Sequence, residues 1–390
     1  MSEWANIKLG DVADITSSKR IFYSDYVASG IPFFRSKEII ELEFGFKIEE
    51  PLYISHDKFE SIRNKYGAPQ DGDLLISAVG ERSGIPFVVN NLGPFYFKDG
   101  NLIWIRNISS RLNANFLYRW IKSYIGQRSL ESIMIGSAQK ALTIEGLKSL
   151  QIPLPPIPQQ QAIADVLSSL DAKIDLLHRQ NATLEEMAET LFRQWFIEDA
   201  RDGWNKGNLI DEFTITMGQS PAGSSYNEHG QGMPMFQGNA DFGFRFPTNR
   251  VYTTAPMRLA QRFDTLISVR APVGEQNMAW ETCCIGRGVA AIRYKENPSL
   301  YTYTFFKIRS LMQSLKAFNN EGTVFGSITK TDLEALSVAL PPTDLINQFE
   351  QQCKPINDKI IHNTQQIQKL EHLRDTLLPK LMSGEIRVAY

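Results

Sequence analysis

The chain has 390 residues, 43% of them hydrophobic and 11% aromatic, which excludes a disordered protein and is too much for one ordinary core, so two domains are expected. With 41 Lys and Arg against 43 Asp and Glu the net charge is −2; nucleic acid would meet no global attraction, and binding it requires local basic patches. No run of about 18 apolar residues is present and Met1–Asp11 lacks a signal-peptide pattern, so the expectation is a cytoplasmic protein with no membrane partner.

From the N-terminus, a first body carries the strand-like runs Pro86–Asn90 and Asn101–Arg106, bounded by Gly, Pro and Asn, and a helical stretch at Phe116–Ser123. Leu154-Pro155-Pro156 then marks the start of a long helix over 157–198. Along it Ile163, Leu167, Leu170, Ile174, Leu177, Asn181, Leu184, Ala188, Leu191 and Trp195 recur at the 4-3 spacing of a coiled-coil seam. Gly203 and Gly207 end it. A second body contains a strand-like run at Val289–Tyr294 and a helix at Tyr301–Ser314, and Cys283, Cys284 and Cys353 read as small buried residues rather than disulfide partners. After Leu340-Pro341-Pro342 a second seam runs through Phe349, Cys353, Ile356, Ile360, Asn363, Ile367, Leu370, Arg374, Leu377 and Leu381 to Gly384. Pro355 is expected to bend or split that helix.

The two halves repeat. At an offset of 186, Gly136–Phe196 overlies Gly322–Met382 without a gap, matching Thr143 to Thr329, Leu147 to Leu333 and Leu154-Pro155-Pro156 to Leu340-Pro341-Pro342. At an offset of 200, Trp4, Leu9, Asp11 and Ile15-Thr16 meet Trp204, Leu209, Asp211 and Ile215-Thr216. Ile31–Phe34 resembles Met233–Phe236, and Asp73–Ser77 resembles Asp264–Ser268. The expected division is 1–156 and 201–342 as mixed α/β bodies, with helices over 157–200 and 343–390. If the helices are antiparallel, with Ile163 opposite Leu381 and Trp195 opposite Phe349, Asn181 faces Asn363, and a buried pair of mutually bonded amides would set the register.

A catalytic centre is not legible. There is no phosphate-binding Gly-x-x-x-x-Gly-Lys, no Gly-x-Gly-x-x-Gly and no Asn-Pro-Pro-Tyr-like tetrapeptide. His56, His178, His229, His362 and His372 lack ligand spacing, and Asp71, Asp73 and Glu81 lack the lysine of a nuclease strand.

Ile152-Pro153-Leu154-Pro155-Pro156 with Gln159-Gln160-Gln161 and Asp171–Ile174 resembles the central spacer of type I restriction–modification specificity subunits, and Leu340-Pro341-Pro342 with Leu377–Ile386 resembles their C-terminal spacer. Gly30–Arg35, Gly72–Ser77, Gly136–Lys140 and Arg270–Gly274 resemble their target-recognition domains. The second copy departs by carrying Phe325-Gly326 in place of Gln139-Lys140. The resemblance implies α/β (α+β) target-recognition domains in tandem, separated by two long helices forming an antiparallel coiled coil, with a pseudo-twofold internal repeat. It implies a non-catalytic subunit that binds double-stranded DNA at a bipartite, asymmetric site and recruits two methyltransferase subunits and two restriction (translocase/nuclease) subunits. No cofactor is expected in this chain; S-adenosylmethionine, ATP and Mg would serve the partner subunits.

Candidate DNA contacts in the first half are Ser17, Ser18, Lys19, Arg20, Arg35, Lys37, Arg82, Gln139 and Lys140, and in the second Gln219, Gln237, Asn239, Arg245, Arg250 and Arg270. Arg suits guanine O6/N7, Asn and Gln suit adenine N6/N7, and each suits phosphate as well. Phe22, Tyr23, Phe242, Phe244 and Phe246 read as core. Leu176, Met187, Phe192, Ile361, Leu373 and Leu378 lie off the seams and are expected to meet a partner helix. Two other readings stay open: an adaptor whose two modules flank a coiled coil, with weak, sequence-blind affinity for DNA, and a stand-alone methyltransferase, which binding of S-adenosylmethionine would reveal.

Overall fold

The computed structural model describes residues 4–136, 140–200, 203–270, 272–317 and 327–388. The chain divides into two compact units, Met1–Leu176 with Gln366–Tyr390, and Leu177–Gln365.

In the first unit, Asp14–Thr16, Leu102–Arg106, Leu74–Ser77 and Pro86–Val88 lie in that order in an antiparallel sheet. Strand side chains alternate between faces, and here both faces are covered. Leu74, Ile76, Ile103 and Ile105 enter one core, while Leu75, Leu102 and Trp104 enter another. That double burial explains continuous apolar runs where a one-faced sheet would alternate. A smaller sheet, Tyr26–Val27, Leu52–Ile54, Ile31–Phe34 and Tyr96–Phe97, has one parallel pairing, between its last two strands. Ala5–Lys8 pairs with Gln151–Leu154 just before the first long helix. Ile163, Ala164 and Leu167 of that helix join the core together with Leu381 and Met382 of the second.

The second unit repeats this plan. Phe213–Met217, Val289–Tyr294, Thr265–Ser268 and Gln276–Met278 form its antiparallel sheet. Met233–Phe236 pairs parallel with Cys283–Ile285, as Ile31–Phe34 does with Tyr96–Phe97. Asn205–Asn208 pairs with Ser337–Leu340 in the register of Ala5–Lys8 with Gln151–Leu154. Thr143 and Thr329 both cap short helices, accepting from Gly146 and Asp332 N–H. Among the described residues the units also differ: only the first has a helix at His56–Tyr66, and only the second has the added strand Leu259–Ala260.

The long helices span Ile157–Arg193, followed by a π-turn at Gln194–Glu198, and Thr343–Ser383. In the second unit, Asn181 lies beside Thr364 and Trp195 beside Phe349; in the first, Asp171 meets Arg374. Partner numbers fall as the chain advances, so the segments run antiparallel.

Three expectations need correction. The second helix is not split at Pro355; Pro355 and Gln351 are both exposed, so the carbonyl that loses its N–H partner can turn to water. Asn181 and Asn363 do not bond to each other. Asn181 Nδ2 donates to Thr364 Oγ1 and Asn363 Nδ2 to Gln180 Oε1, each at 3.4 Å, and both Oδ1 atoms are buried without a partner. The stretch expected as one helix at Tyr301–Ser314 breaks at Leu311 into Tyr301–Ser310 and Met312–Ala317.

Candidate nucleic-acid interface

In the first unit, the sheet strand Asp14–Thr16 delivers the loop Ser17–Arg20. Ser17 Oγ donates to Leu102 O at 3.2 Å, while Ser18 is buried with its hydroxyl unpartnered; Ser18 therefore offers no exposed contact, contrary to expectation. Lys19 N–H donates to Tyr96 Oη at 2.7 Å, its ammonium stands 4.6 Å from the Tyr66 ring centroid, and Arg20 Nε donates to Asp99 at 2.9 Å. Backbone anchoring leaves both side chains at the surface.

Arg35, Lys37 and Arg82, far apart in sequence, line one cavity of about 460 Å³ together with Lys47. Arg35 precedes the helix Ser36–Glu43 and is tied to Glu38, which takes its backbone N–H at 2.8 Å and its guanidinium. Burial pushes the Glu38 carboxyl up, but the Arg35 bonds outweigh it and hold it below its ordinary value. Glu41, Glu49 and Glu50 also line the cavity, and Arg35 and Lys37, paired with Glu38 and Glu41, could meet phosphate only by exchanging partners. Lys140 joins the Arg82 loop, its carbonyl accepting from Gly80 N–H at 3.3 Å. Gln139 lies outside the described residues.

In the second unit, Gln237 is held from both sides, accepting from Ser220 Oγ at 2.7 Å and donating to Tyr226 Oη at 2.6 Å. Its neighbour Gln219 is exposed, and Arg287 N–H reaches Ser220 Oγ at 3.2 Å. The structure thus gathers Gln219, Gln237 and Arg287, the last of which sequence reasoning missed because nothing local marks it. Asn239 opens a short turn closed by Asp241, whose carboxylate takes Arg250 at 2.8 Å. Arg270 is exposed, bridged through its backbone to Ser327.

Arg245 overturns its expected role. It is fully buried, bonded to Glu185 of the first long helix at 2.9 Å and Asn357 of the second at 3.2 Å, and it lies 4.0 Å from the Phe305 ring centroid. Burial lowers its pKa to about 10 despite Glu185, so it stays cationic at neutral pH as a structural tie. In the first unit the corresponding tie is Arg119 to Asp171 of the first helix, which also takes Arg374 of the second at 3.1 Å.

Aromatic side chains divide differently from expectation. Phe246 is core and Phe242 packs against a separate cluster of Phe236, Leu266 and Ile285, but Phe22, Tyr23 and Phe244 are exposed. Of the apolar helix positions, Leu176, Met187 and Leu373 are exposed, Ile361 and Leu378 pack partly into their own unit's core, and Phe192 is buried among Phe196, Tyr303 and Phe349. Phe192 is therefore not available to a partner; a ring at that seam-adjacent position fills its own unit. Among the described residues no His, Cys, Asp and Glu cluster could hold a metal ion, and no helix is long and apolar enough to cross a membrane.

A chain of two like α/β units, each packed on antiparallel stretches of long helix and presenting different polar loops, defines a duplicated recognition scaffold. The family pattern described as "Type I restriction modification DNA specificity domain" matches residues 1–186. The chain is 30% identical over 343 residues to the type I restriction enzyme MjaX specificity subunit of Methanocaldococcus jannaschii, covering 81% of this chain and 79% of that one. It is 25% identical to the MjaIX specificity subunit of the same organism, over 99% and 94% of the two chains. The solved S subunit of a type I restriction–modification system from M. genitalium shares its fold, with a TM-score of 0.65 at 16% identity over 97% of this chain and 96% of that one. The chain belongs to the family of type I restriction enzyme specificity subunits.

Proposed function

We propose that this chain reads a bipartite, asymmetric DNA site, one half-site per unit, as the non-catalytic specificity subunit of a cytoplasmic type I restriction–modification complex. Its tandem recognition domains would be held by the two helices as an antiparallel coiled coil with pseudo-twofold symmetry, a ruler of about 48 Å along the first seam at about 1.5 Å per residue. The observation that carries the reading is that one scaffold occurs twice with different loop chemistry, Lys19, Arg20 and Arg35 against Gln237, Asn239 and Arg270. Equivalent scaffolds suit two copies of a methyltransferase subunit, and unequal loops suit two unlike half-sites. Exposed Leu176, Met187 and Leu373 would lie under the methyltransferase helices; two restriction subunits would complete the assembly. S-adenosylmethionine, ATP and Mg would be used by those partners.

The test is selection from a random DNA pool followed by module-specific variants. Replacing Lys19, Arg20 and Arg35 together by Ala should relax preference at one half-site and leave the other intact, at about 1–3 kcal/mol per lost base contact; replacing Gln237, Asn239 and Arg270 should do the reverse. Equal loss on every sequence, with a smaller salt slope, would make these residues phosphate clamps.

A further inference from the structure

The turn after the Ser17–Arg20 loop is built alike in both units and furnished differently. Asp25 N–H donates to Phe22 O at 2.9 Å, and Ser225 N–H to Ala222 O at 3.0 Å. Each closes a 3-10 turn, Tyr23–Asp25 or Gly223–Ser225, that leads into a two-residue strand, Tyr26–Val27 or Tyr226–Asn227. The first turn carries Phe22-Tyr23 where the second carries Ala222-Gly223. Since the second closes without rings, the first does not need them to fold. Yet Phe22 is 62% and Tyr23 89% exposed, a solvent-facing aromatic pair of the sort that marks a contact surface.

The pair is also held in place. Asp25 accepts Phe22 N–H at 3.0 Å and the Lys58 ammonium at 3.1 Å, and the Tyr23 ring meets Tyr26 edge-on at 5.8 Å. Tyr26 lies within the field of Arg35. Arg20, Lys58 and Arg35 therefore share this stretch of surface with the rings, against Asp99, Asp25 and Glu38. An apolar wedge flanked by cations matches a base step flanked by phosphates; an apolar protein groove would have no use for the cations.

We propose that Phe22 and Tyr23 form a DNA-stacking wedge that inserts at a base step of the half-site read by the first unit. The inference rests on the reading of the chain as a DNA-recognition subunit and adds an asymmetry to it: the turn with Ala222-Gly223 cannot wedge, so only one half-site is unstacked. Such a contact is worth about 1–3 kcal/mol per stacked base, roughly 5- to 150-fold in affinity.

The experiment uses the full chain and the sequence it selects, with 2-aminopurine placed in turn along both half-sites. The wild type should brighten the probe at one step of the first half-site and nowhere in the second. Phe22→Ala with Tyr23→Ala should abolish that signal and weaken binding about ten- to a hundredfold, with the salt slope unchanged because no charge is lost; Tyr23→Phe should keep both. Both positions are exposed, and a wild-type melting temperature in the double variant checks its fold. A double variant that binds like wild type, or a wild type that brightens no position, overturns the wedge. Unchanged DNA affinity with weakened capture of the methyltransferase subunit also overturns it, assigning the rings to a protein contact. If the wild type selects no sequence, the functional reading itself falls, and the wedge with it; selection by an unaffected double variant sinks only the wedge.

Discussion

The two units start the same core helix by different means. In the first, Ala114–Lys122 is capped by the residue before it, Asn113, whose Oδ1 accepts Phe116 N–H at 2.9 Å. In the second, Tyr301–Ser310 follows Leu300, which has no side-chain acceptor to offer; Glu350 of the second long helix instead takes the N–H groups of Thr302 and Tyr303, at 3.3 and 2.9 Å. The orphan donors of a helix start must be met by something. A local cap stabilises one helix, whereas a remote carboxylate also ties that helix to the element supplying it. The first unit gains a similar tie by another route, with Gln160 of the first long helix accepting Asn113 N–H at 2.8 Å and donating to Pro155 O at 2.8 Å.

The largest effect should come from the unit whose tie is most deeply buried. Arg245→Ala leaves Glu185 and Asn357 facing an empty, dry site, and removing one member of a buried ion pair costs about 3–5 kcal/mol. Arg309, ion-paired with Glu185 at the edge of the cluster, should temper this only in part. Arg119→Ala in the first unit should cost less, because its partner Asp171 is about one-third exposed and keeps Arg374. Denaturant melts of the two variants would reverse this comparison if Arg119→Ala proved the more damaging.

Next in size is the pair of caps. Asn113→Ala should cost about 1 kcal/mol, and Glu350→Ala about 1–2. Only the second should depend on pH. Burial raises the Glu350 carboxyl above its ordinary 4.5, outweighing the Thr302 and Tyr303 bonds that pull it down. A group raised on folding lends stability that is complete below its unfolded value and is lost as pH climbs through its folded one. The gap in stability between wild type and Glu350→Ala should therefore be wider at pH 4 than at pH 8, while the gap for Asn113→Ala stays constant. A gap for Glu350→Ala that widens with pH would mean that the carboxylate, not the acid, is the favoured cap.

These pairs show why part of the molecule was legible in sequence and part was not. The repeat was readable because Thr143 and Thr329, or Leu154-Pro155-Pro156 and Leu340-Pro341-Pro342, do local work that demands the same residue at the same offset. The seam was readable because burial along a helix imposes a period, and none of its positions is exposed. Glu350 and Arg245 were not, since each acts across 47 or more residues on a partner that no local pattern announces. Arg245, between Phe244 and Phe246, had the look of a loop cation. Lys37 and Arg82 lie in separate stretches of sequence, and only the fold brings them to one cavity. The exposure of Phe22 and Tyr23 was invisible because an aromatic pair beside a strand is ordinarily core.

The smallest expected effect concerns the two seam asparagines, where the second unit carries a polar layer and the first carries the ion group of Asp171 and Arg374. Asn181 and Asn363 are buried, each donates one long bond to the neighbour of the other, and each leaves its Oδ1 unpaired. An unmet buried acceptor costs about 1–3 kcal/mol, and two bonds of 3.4 Å offset little of that. Asn181→Leu with Asn363→Leu should thus raise stability by about 1 kcal/mol or more, while relaxing the register that polar seam residues enforce. Thermal melts would read the first effect. The second would appear as disulfide trapping between cysteines placed one helical turn out of register, at positions 184 and 356, which the asparagine-bearing chain should resist. Destabilisation by the double leucine would show that water or relaxed geometry already satisfies both carbonyls, and that the layer contributes to stability as well as to register.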